Sequence, residues 1–275
     1  MKYAYVTTLY GNNVYITGAI VLGYTLMMTK TKIDRVIMVT PDVGLENCKI
    51  LSNFYTHIIP IDYLQVDNSF YLEDTRFRDV FTKLKCFELV QYDKIILMDL
   101  DMVVQHNIDH LFKLQPPAAC LKKYHIGYGK PIPDKMICQN NKLIGSINAG
   151  LMLLKPDLRE WKNMKSLLQN NEKLYKFRYP EQDFLSLYYC KMWTSITFNY
   201  NYQFGLTART RKYNYSDKNI YVVHYSSSYK PWNKFIKVID DNEEKFIQQH
   251  IKYYDLWNKI YNEIKEKYHD LHISY

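Results

Sequence analysis

The apolar positions of this chain fall into two rhythms. YAYVTTLY (3–10), RVIMVT (35–40) and HIIPID (57–62) are short, nearly continuous apolar runs, the pattern of strands covered on both faces. VYITGAIVLGYTLMMTK (14–30) instead repeats its apolar residues at helical spacing, and 43–54 reads as a second helix after Pro41-Asp42. DVFTKLKCFELVQ (79–91) has the spacing of an amphipathic helix and leads into a fourth strand at 94–98. Strands alternating with helices of this length predict an α/β fold with a parallel-type sheet.

Beyond Asp101 the rhythm changes. NIDHLFKL (107–114) reads as a short helix, AACLKK (118–123) as a strand, and 124–142, with Gly127, Gly129, Pro131 and Pro133, as a loop. SINAGLMLLKPD (146–157) contains another strand, and 158–171 is a polar helix. EQDFLSLYYCK (181–191) is a helix with an acidic first turn, which suits the helix dipole. IYVVHY (220–225) is a late strand followed by the loop SSSYKPW, and 243–268 has the pattern of one amphipathic helix. With no repeat or linker, a single domain is expected over 1–242, with 243–275 as a helical segment packed on it.

KIILMDLDMVV (94–104) sets two aspartates in an otherwise apolar run. Asp99 and Asp101, flanking Leu100, would end the strand with both side chains on one face, where open α/β sheets bind ligands. Two carboxylates there can hold a divalent cation, which in turn can hold a diphosphate. The bland assignment is a turn cap with a lysine-paired neighbour. His224 ends an apolar run and, taken alone, suits a packed histidine as well as a ligand. Lys230 in YKPW sits beside Pro231 and Trp232, which stiffen its backbone for a phosphate contact; a solvated lysine has the same look. Asn148-Ala149-Gly150 is either a turn or a place of close backbone approach, and Glu181 either faces a substrate or complements its helix dipole.

The 275 residues are 47% hydrophobic and 23% charged, ordinary for a globular protein. A formal charge of +8 suits an anionic partner such as a nucleotide, or only a solvated basic surface. The lysines are dispersed and match no nucleic-acid motif, so no nucleic acid is expected. The five cysteines are spread without a CxxC pair, which predicts neither a disulfide framework nor a zinc site and points to a reducing compartment. No run is long and apolar enough for a membrane span, and the opening residues lack the apolar stretch of a signal peptide, so neither is expected. A cytoplasmic protein is expected. Abundant Lys, Asn, Ile and Tyr fit an AT-rich genome, of a large DNA virus (then in the host cytoplasm) or a low-GC microbe.

In order, AYVTTLYGNNVYITGAIVLG (4–23), FTKLKCFELVQYDKIILMDLDMVV (81–104), NIDHLF (107–112), NAGLMLLKP (148–156), EQDFLSLYY (181–189) and VVHYSSSYKPW (222–232) resemble glycosyltransferase family 8, in its glycogenin and galactinol synthase branch. The resemblance implies a GT-A fold, a Rossmann-like mixed sheet flanked by helices, and a retaining hexosyltransferase. It implies a UDP-sugar donor, UDP-glucose or UDP-galactose, and Mn²⁺, with Mg²⁺ as the alternative ion. Carried over by motif, Asp99, Asp101 and His224 would ligate the metal, a mixed N/O set suited to Mn²⁺. Thr8, Leu9, Asn12 and Tyr15 would hold uracil and ribose. Lys83 and Lys230 would contact the sugar diphosphate with Ser227 beside it, and Asn148, Ala149, Glu181 and Gln182 would face the donor sugar. Lys83, Glu181 and Gln182 are the catalytic candidates.

The acceptor is expected to be a hydroxyl of a sugar, polyol or protein. Family members often dimerise, and the aromatic C-terminal helix could contribute to a homodimer or pack on its own domain. Three features depart from glycogenins: Arg178 where an acidic residue is usual, Ser227 for a glycine, and no clear match for the self-glucosylated tyrosine in NYNYQFGLTARTRKYNY (199–215). The rival enzyme is a haloacid dehalogenase-like Mg²⁺-dependent phosphatase, whose strand also ends in D-x-D, and Val103 fits that pattern. That family carries the motif near the N-terminus, whereas here a sheet-forming half precedes it. A catalytically inactive sugar-nucleotide-binding protein is the non-enzymatic rival.

Overall fold

A computed structural model of the chain describes residues 1–11, 14–64, 66, 79–122, 124–140, 142–170, 177–204, 219–233 and 239–271. The first half contains β1 (Tyr3–Leu9), α1 (Ile16–Met28), β2 (Asp34–Val39), α2 (Leu45–Leu51), β3 (His57–Pro60) and β4 (Lys94–Met98). Then follow β5 (Met102–Val104), β6 (Ala118–Leu121), β7 (Cys138–Gln139), β8 (Lys142–Leu143) and β9 (Ile147–Leu154). The last elements are α3 (Leu158–Asn170), α4 (Pro180–Tyr188), β10 (Thr194–Ser195), β11 (Val222–His224), α5 (Asp241–Gln249) and α6 (Ile251–Lys267).

Seven strands form one sheet in the order β10-β6-β9-β4-β1-β2-β3. The β3-β2-β1-β4 block is parallel, as its continuous apolar runs predict, while β9 runs antiparallel to both β4 and β6. This mixed α/β sheet has the GT-A arrangement expected from the motifs. Both faces are covered, so every residue of β9 is buried. α1 is buried from Ile16 through Leu26, and a Cβ on its Gly18 would come within 2.8 Å of both the Leu100 carbonyl and the Trp232 ring. Glycine there lets the helix pack directly under the aspartate turn.

Three expectations change. Residues 79–91 form not an α-helix but 3₁₀ turns over Val80–Glu88. Phe81, Leu84 and Phe87 are all fully buried; their three-residue spacing matches the 3₁₀ period, in which such side chains stack along one line. The C-terminal helix is broken at His250, whose φ of −125° is non-helical. Its Nδ1 takes the Phe246 carbonyl that the next helical turn would use, and its N–H turns to Ile247 instead. Finally, Cys138 and Cys190, 52 residues apart, form a disulfide with Cα atoms 6.3 Å apart. The β7–β8 hairpin folds against the end of α4, a long-range contact that cysteine spacing does not reveal. The reducing-compartment expectation loses that support. Among described residues, no helix is long and apolar enough to cross a membrane.

Candidate active site

β4 leaves the main sheet at Met98, and the chain enters β5 of a second, two-stranded sheet at Met102. Asp99, Leu100 and Asp101 form the step between the two sheets, so the aspartates converge through a turn rather than through strand pleat. The backbone is pinned at both ends: Asp99 N–H donates to the Gly150 carbonyl at 2.8 Å, and the Asp101 carbonyl accepts from Tyr225 N–H at 2.8 Å. β5 pairs antiparallel with β11, which sets His224 opposite Met102. Ligand atoms of Asp99, Asp101 and His224 consequently all lie within 4.8 Å of one another.

The carboxylates are held by lysines. Asp101 is ion-paired with Lys230 and lies 3.2 Å from His224 Nε2. Lys83 Nζ bridges Asp99 and Glu181, each at 2.9 Å. Burial alone would raise the Asp101 pKa, but Lys230 and His224 reverse this and hold it well below the usual carboxylate range. Burial alone would lower the Lys83 pKa; Asp99 and Glu181 outweigh it and push it up. Lys230 holds Asp101 Oδ2 while Oδ1 faces His224 Nε2, and the three carboxylates outnumber the two lysines. The donor set therefore fits a divalent cation, with two hard oxygens and one imidazole.

The outer partners fix the histidine. Asn201 Nδ2 donates to Asn148 Oδ1 at 2.7 Å, which leaves the Asn201 Oδ1 to accept from His224 Nδ1–H at 2.7 Å. Assigned from this network, Nδ1 faces Asn201 and Nε2 faces Asp101, so Nε2 is the ring nitrogen available to a cation. Gly150 completes the arrangement, because a Cβ there would lie 2.4 Å from His224 Cε1. Gly150→Ala should displace the imidazole and lower turnover by about 10²-fold, the scale of an ångström-size misplacement. Steady-state kinetics beside a thermal melt check this: turnover within twofold of wild type would show that the imidazole position is not critical.

The other sequence candidates are distributed around this centre. Gln182 accepts from Ala149 N–H and donates to Ser146 Oγ, both at 3.3 Å, which ties the first turn of α4 to the start of β9. Thr8, next to last in β1, has a buried hydroxyl without a hydrogen-bond partner among the described residues, a polar atom suited to a ligand. Leu9 is fully buried in the apolar cluster with Ile16, Leu100 and Trp232, and its carbonyl already accepts from Thr40. Its side chain is therefore core. Tyr15 packs edge-on to Trp232, with ring centroids 5.3 Å apart. The Ser227 hydroxyl bonds the Tyr229 backbone. Asn12 lies outside the described residues, as do 205–215 of the tyrosine-rich stretch.

Two participants escaped the sequence reading. Asn201 had no signal, being one of three asparagines in a loosely matching segment. Tyr10 lies among Lys83, Glu181 and Asp99; burial pushes its phenol pKa up, Lys83 opposes that and the carboxylates add to it. Its position directly after Thr8-Leu9 was the available clue.

Residues 6–235 match the family described as Glycosyl transferase family 8. The chain is 60% identical, over 100% of its length and 99% of the relative's, to an uncharacterized protein of Acanthamoeba polyphaga mimivirus. It is 29% identical to Galactinol synthase 2 of Arabidopsis thaliana, over 95% of this chain and 82% of that one. In fold it is similar to the galactosyltransferase LgtC, with a TM-score of 0.65 at 16% identity, covering 94% of this chain and 95% of that one. It is also similar to the glycosyltransferase GlyE of Streptococcus pneumoniae, with a TM-score of 0.57 at 18% identity, covering 96% of this chain but 64% of that one.

Proposed function

The chain belongs to glycosyl transferase family 8, and from that premise we propose that it is a retaining, Mn²⁺-dependent hexosyltransferase. It would move glucose or galactose from a UDP-sugar to the hydroxyl of a sugar, polyol or protein. The observation that carries this reading is the convergence of Asp99, Asp101 and His224 with Lys83 and Lys230 at the junction of the two sheets. A phosphatase is not favoured: residues 6–235 match glycosyl transferase family 8, and the D-x-D segment follows the fourth strand of the main sheet rather than the first. A purely binding role gives no reason for a buried lysine between two carboxylates, Asp99 and Glu181.

Asp99, Asp101 and His224 would hold the cation, which when bound neutralises diphosphate charge. Lys230, freed from Asp101, can place its ammonium on the diphosphate and stabilise the charge that grows on departing UDP. Lys83 is anchored by Asp99 on one side and Glu181 on the other, so it links the metal ligands to the α4 residues expected beside the hexose. Gln182, fixed by Ala149 and Ser146, would present a rigid polar wall to the sugar. Thr8 and Tyr15 would meet the nucleoside. Retention would proceed either through a nucleophile on the far face of the hexose or by attack from the leaving-group side, and Glu181 and Gln182 are the residues we assign to either route.

A donor screen tests the assignment. UDP release from UDP-glucose and UDP-galactose is measured with Mn²⁺, Mg²⁺ and chelator, together with the intact mass of the protein to detect attached hexose. Mn²⁺-dependent release from one of these donors and none with chelator is expected. Release of inorganic phosphate from phosphate esters without UDP-sugar turnover would overturn the reading.

A further inference from the structure

Lys230 lies on a loop, 225–233, that is bonded both within itself and to the C-terminal helices. Its contacts to the C-terminal helices are hydrogen bonds from side chains to backbone or to buried groups. Tyr254 OH donates to the Tyr229 carbonyl at 2.6 Å, one residue before Lys230. Tyr225 OH donates to the Tyr253 carbonyl. Asn233 Nδ2 donates to Glu243 at 2.7 Å and to the Ser228 carbonyl at 3.3 Å, which closes the loop on itself. Glu243 is fully buried, and its backbone N–H is capped by the Asp240 carboxylate at 2.9 Å. Rings seal the joint: Tyr229 packs on Phe246, and Trp232 on Trp257.

A fully buried carboxylate is costly unless hydrogen bonds satisfy it, and Asn233 on the loop supplies one of them. All of these bonds converge on the loop that aims Lys230, whose ammonium also donates to the Tyr225 carbonyl within the same loop. We propose that Tyr254 and the Glu243–Asn233 pair are positioning residues that fix the 225–233 loop so that Lys230 reaches the diphosphate-binding side of Asp101. The C-terminal helices are thereby a working part of the donor site. The inference rests on the functional reading above only for the identity of the ligand, a nucleoside diphosphate with a divalent cation.

The test is calorimetric titration of UDP with Mn²⁺ into wild type, Tyr254→Phe, Asn233→Ala, Lys230→Ala, and each loop variant combined with Lys230→Ala. Tyr254→Phe and Asn233→Ala should each weaken UDP by about tenfold, and neither should weaken it further in the Lys230→Ala background, because they act through that ammonium. Equal losses in both backgrounds, or no loss in either, would overturn the proposal. Amide hydrogen exchange over 226–233 gives an answer independent of any ligand. Faster exchange there in Tyr254→Phe supports the clamp, and unchanged exchange refutes it. If wild type bound no UDP at all, the functional reading would fail, and the exchange experiment alone would decide the clamp.

Discussion

Asp101→Asn should reduce hexosyl transfer by about 10³-fold or more while the chain still folds. The carboxylate serves three groups at once: His224, Lys230 and the cation expected between Asp99 and His224. An amide keeps the size and one acceptor oxygen but removes the charge that all three require. Loss of a single electrostatic donor in an active site already costs about 10²–10³ in rate, and here a ligand and a lysine anchor are lost together. Stability should drop by about 3 kcal/mol, because Lys230 is left as a buried charge without its counter-ion. The Tyr225 carbonyl still accepts from that ammonium, which keeps the loop in place.

The pH dependence gives a second signature. The Asp101 pKa is lowered from 3.8 in the folded state, so its stabilisation is present above pH 3.8 and lost as the pH falls below that value. Measured in chelator, wild type should lose stability on acidification, and Asp101→Asn should lose less. Unchanged turnover in Asp101→Asn would remove the metal role from this residue.

Lys83→Met should be nearly as severe for a different reason. The lysine is the only cation that the described residues place between Asp99 and Glu181, and its removal leaves two carboxylates facing one another in a largely buried pocket. At neutral pH the variant should be destabilised by about 3–5 kcal/mol, the range for breaking one partner from a buried pair. Part of that loss should return as the pH falls and one carboxylate takes up a proton, which like-charge repulsion favours. Transfer should fall by about 10²-fold, since the link between the metal ligands and α4 is gone. Mn²⁺ should raise the melting temperature of the variant more than that of wild type, because Asp99 no longer carries an ammonium. Thermal melts with and without the ion, beside kinetics, check both statements. Wild-type transfer rates in Lys83→Met would show that the lysine is structural only.

Much of the scaffold was legible because buried parallel strands are nearly continuous apolar runs. β1, β2 and β4 are of this kind, antiparallel β9 reads the same way because it too is buried on both faces, and the turn after β4 stood out because two charges interrupt such a run. The motifs then placed His224 and Lys230 at the same centre although they lie more than a hundred residues downstream. What stayed hidden depends on contacts between distant segments. The aspartates meet because the chain changes sheets at Leu100, and no local period encodes that change. The imidazole is oriented by Asn201, whose role exists only once its amide can reach both Asn148 on β9 and His224 on β11. The 3₁₀ turns around Lys83 were concealed because residues three apart also satisfy a loose helical pattern. The C-terminal stretch showed the amphipathic spacing of a packed helix, but not that Tyr254 and Glu243 reach the lysine loop.

The central claim is that Asp99, Asp101 and His224 make one cation site on which a uridine diphosphate is held. Titrating UDP into the protein with Mn²⁺ and with chelator tests it most directly. The account predicts binding with Mn²⁺, at least about tenfold weaker binding in chelator, and loss of that difference in Asp101→Asn. Equal UDP affinity in wild type with and without the ion, or a difference that survives in Asp101→Asn, would contradict it.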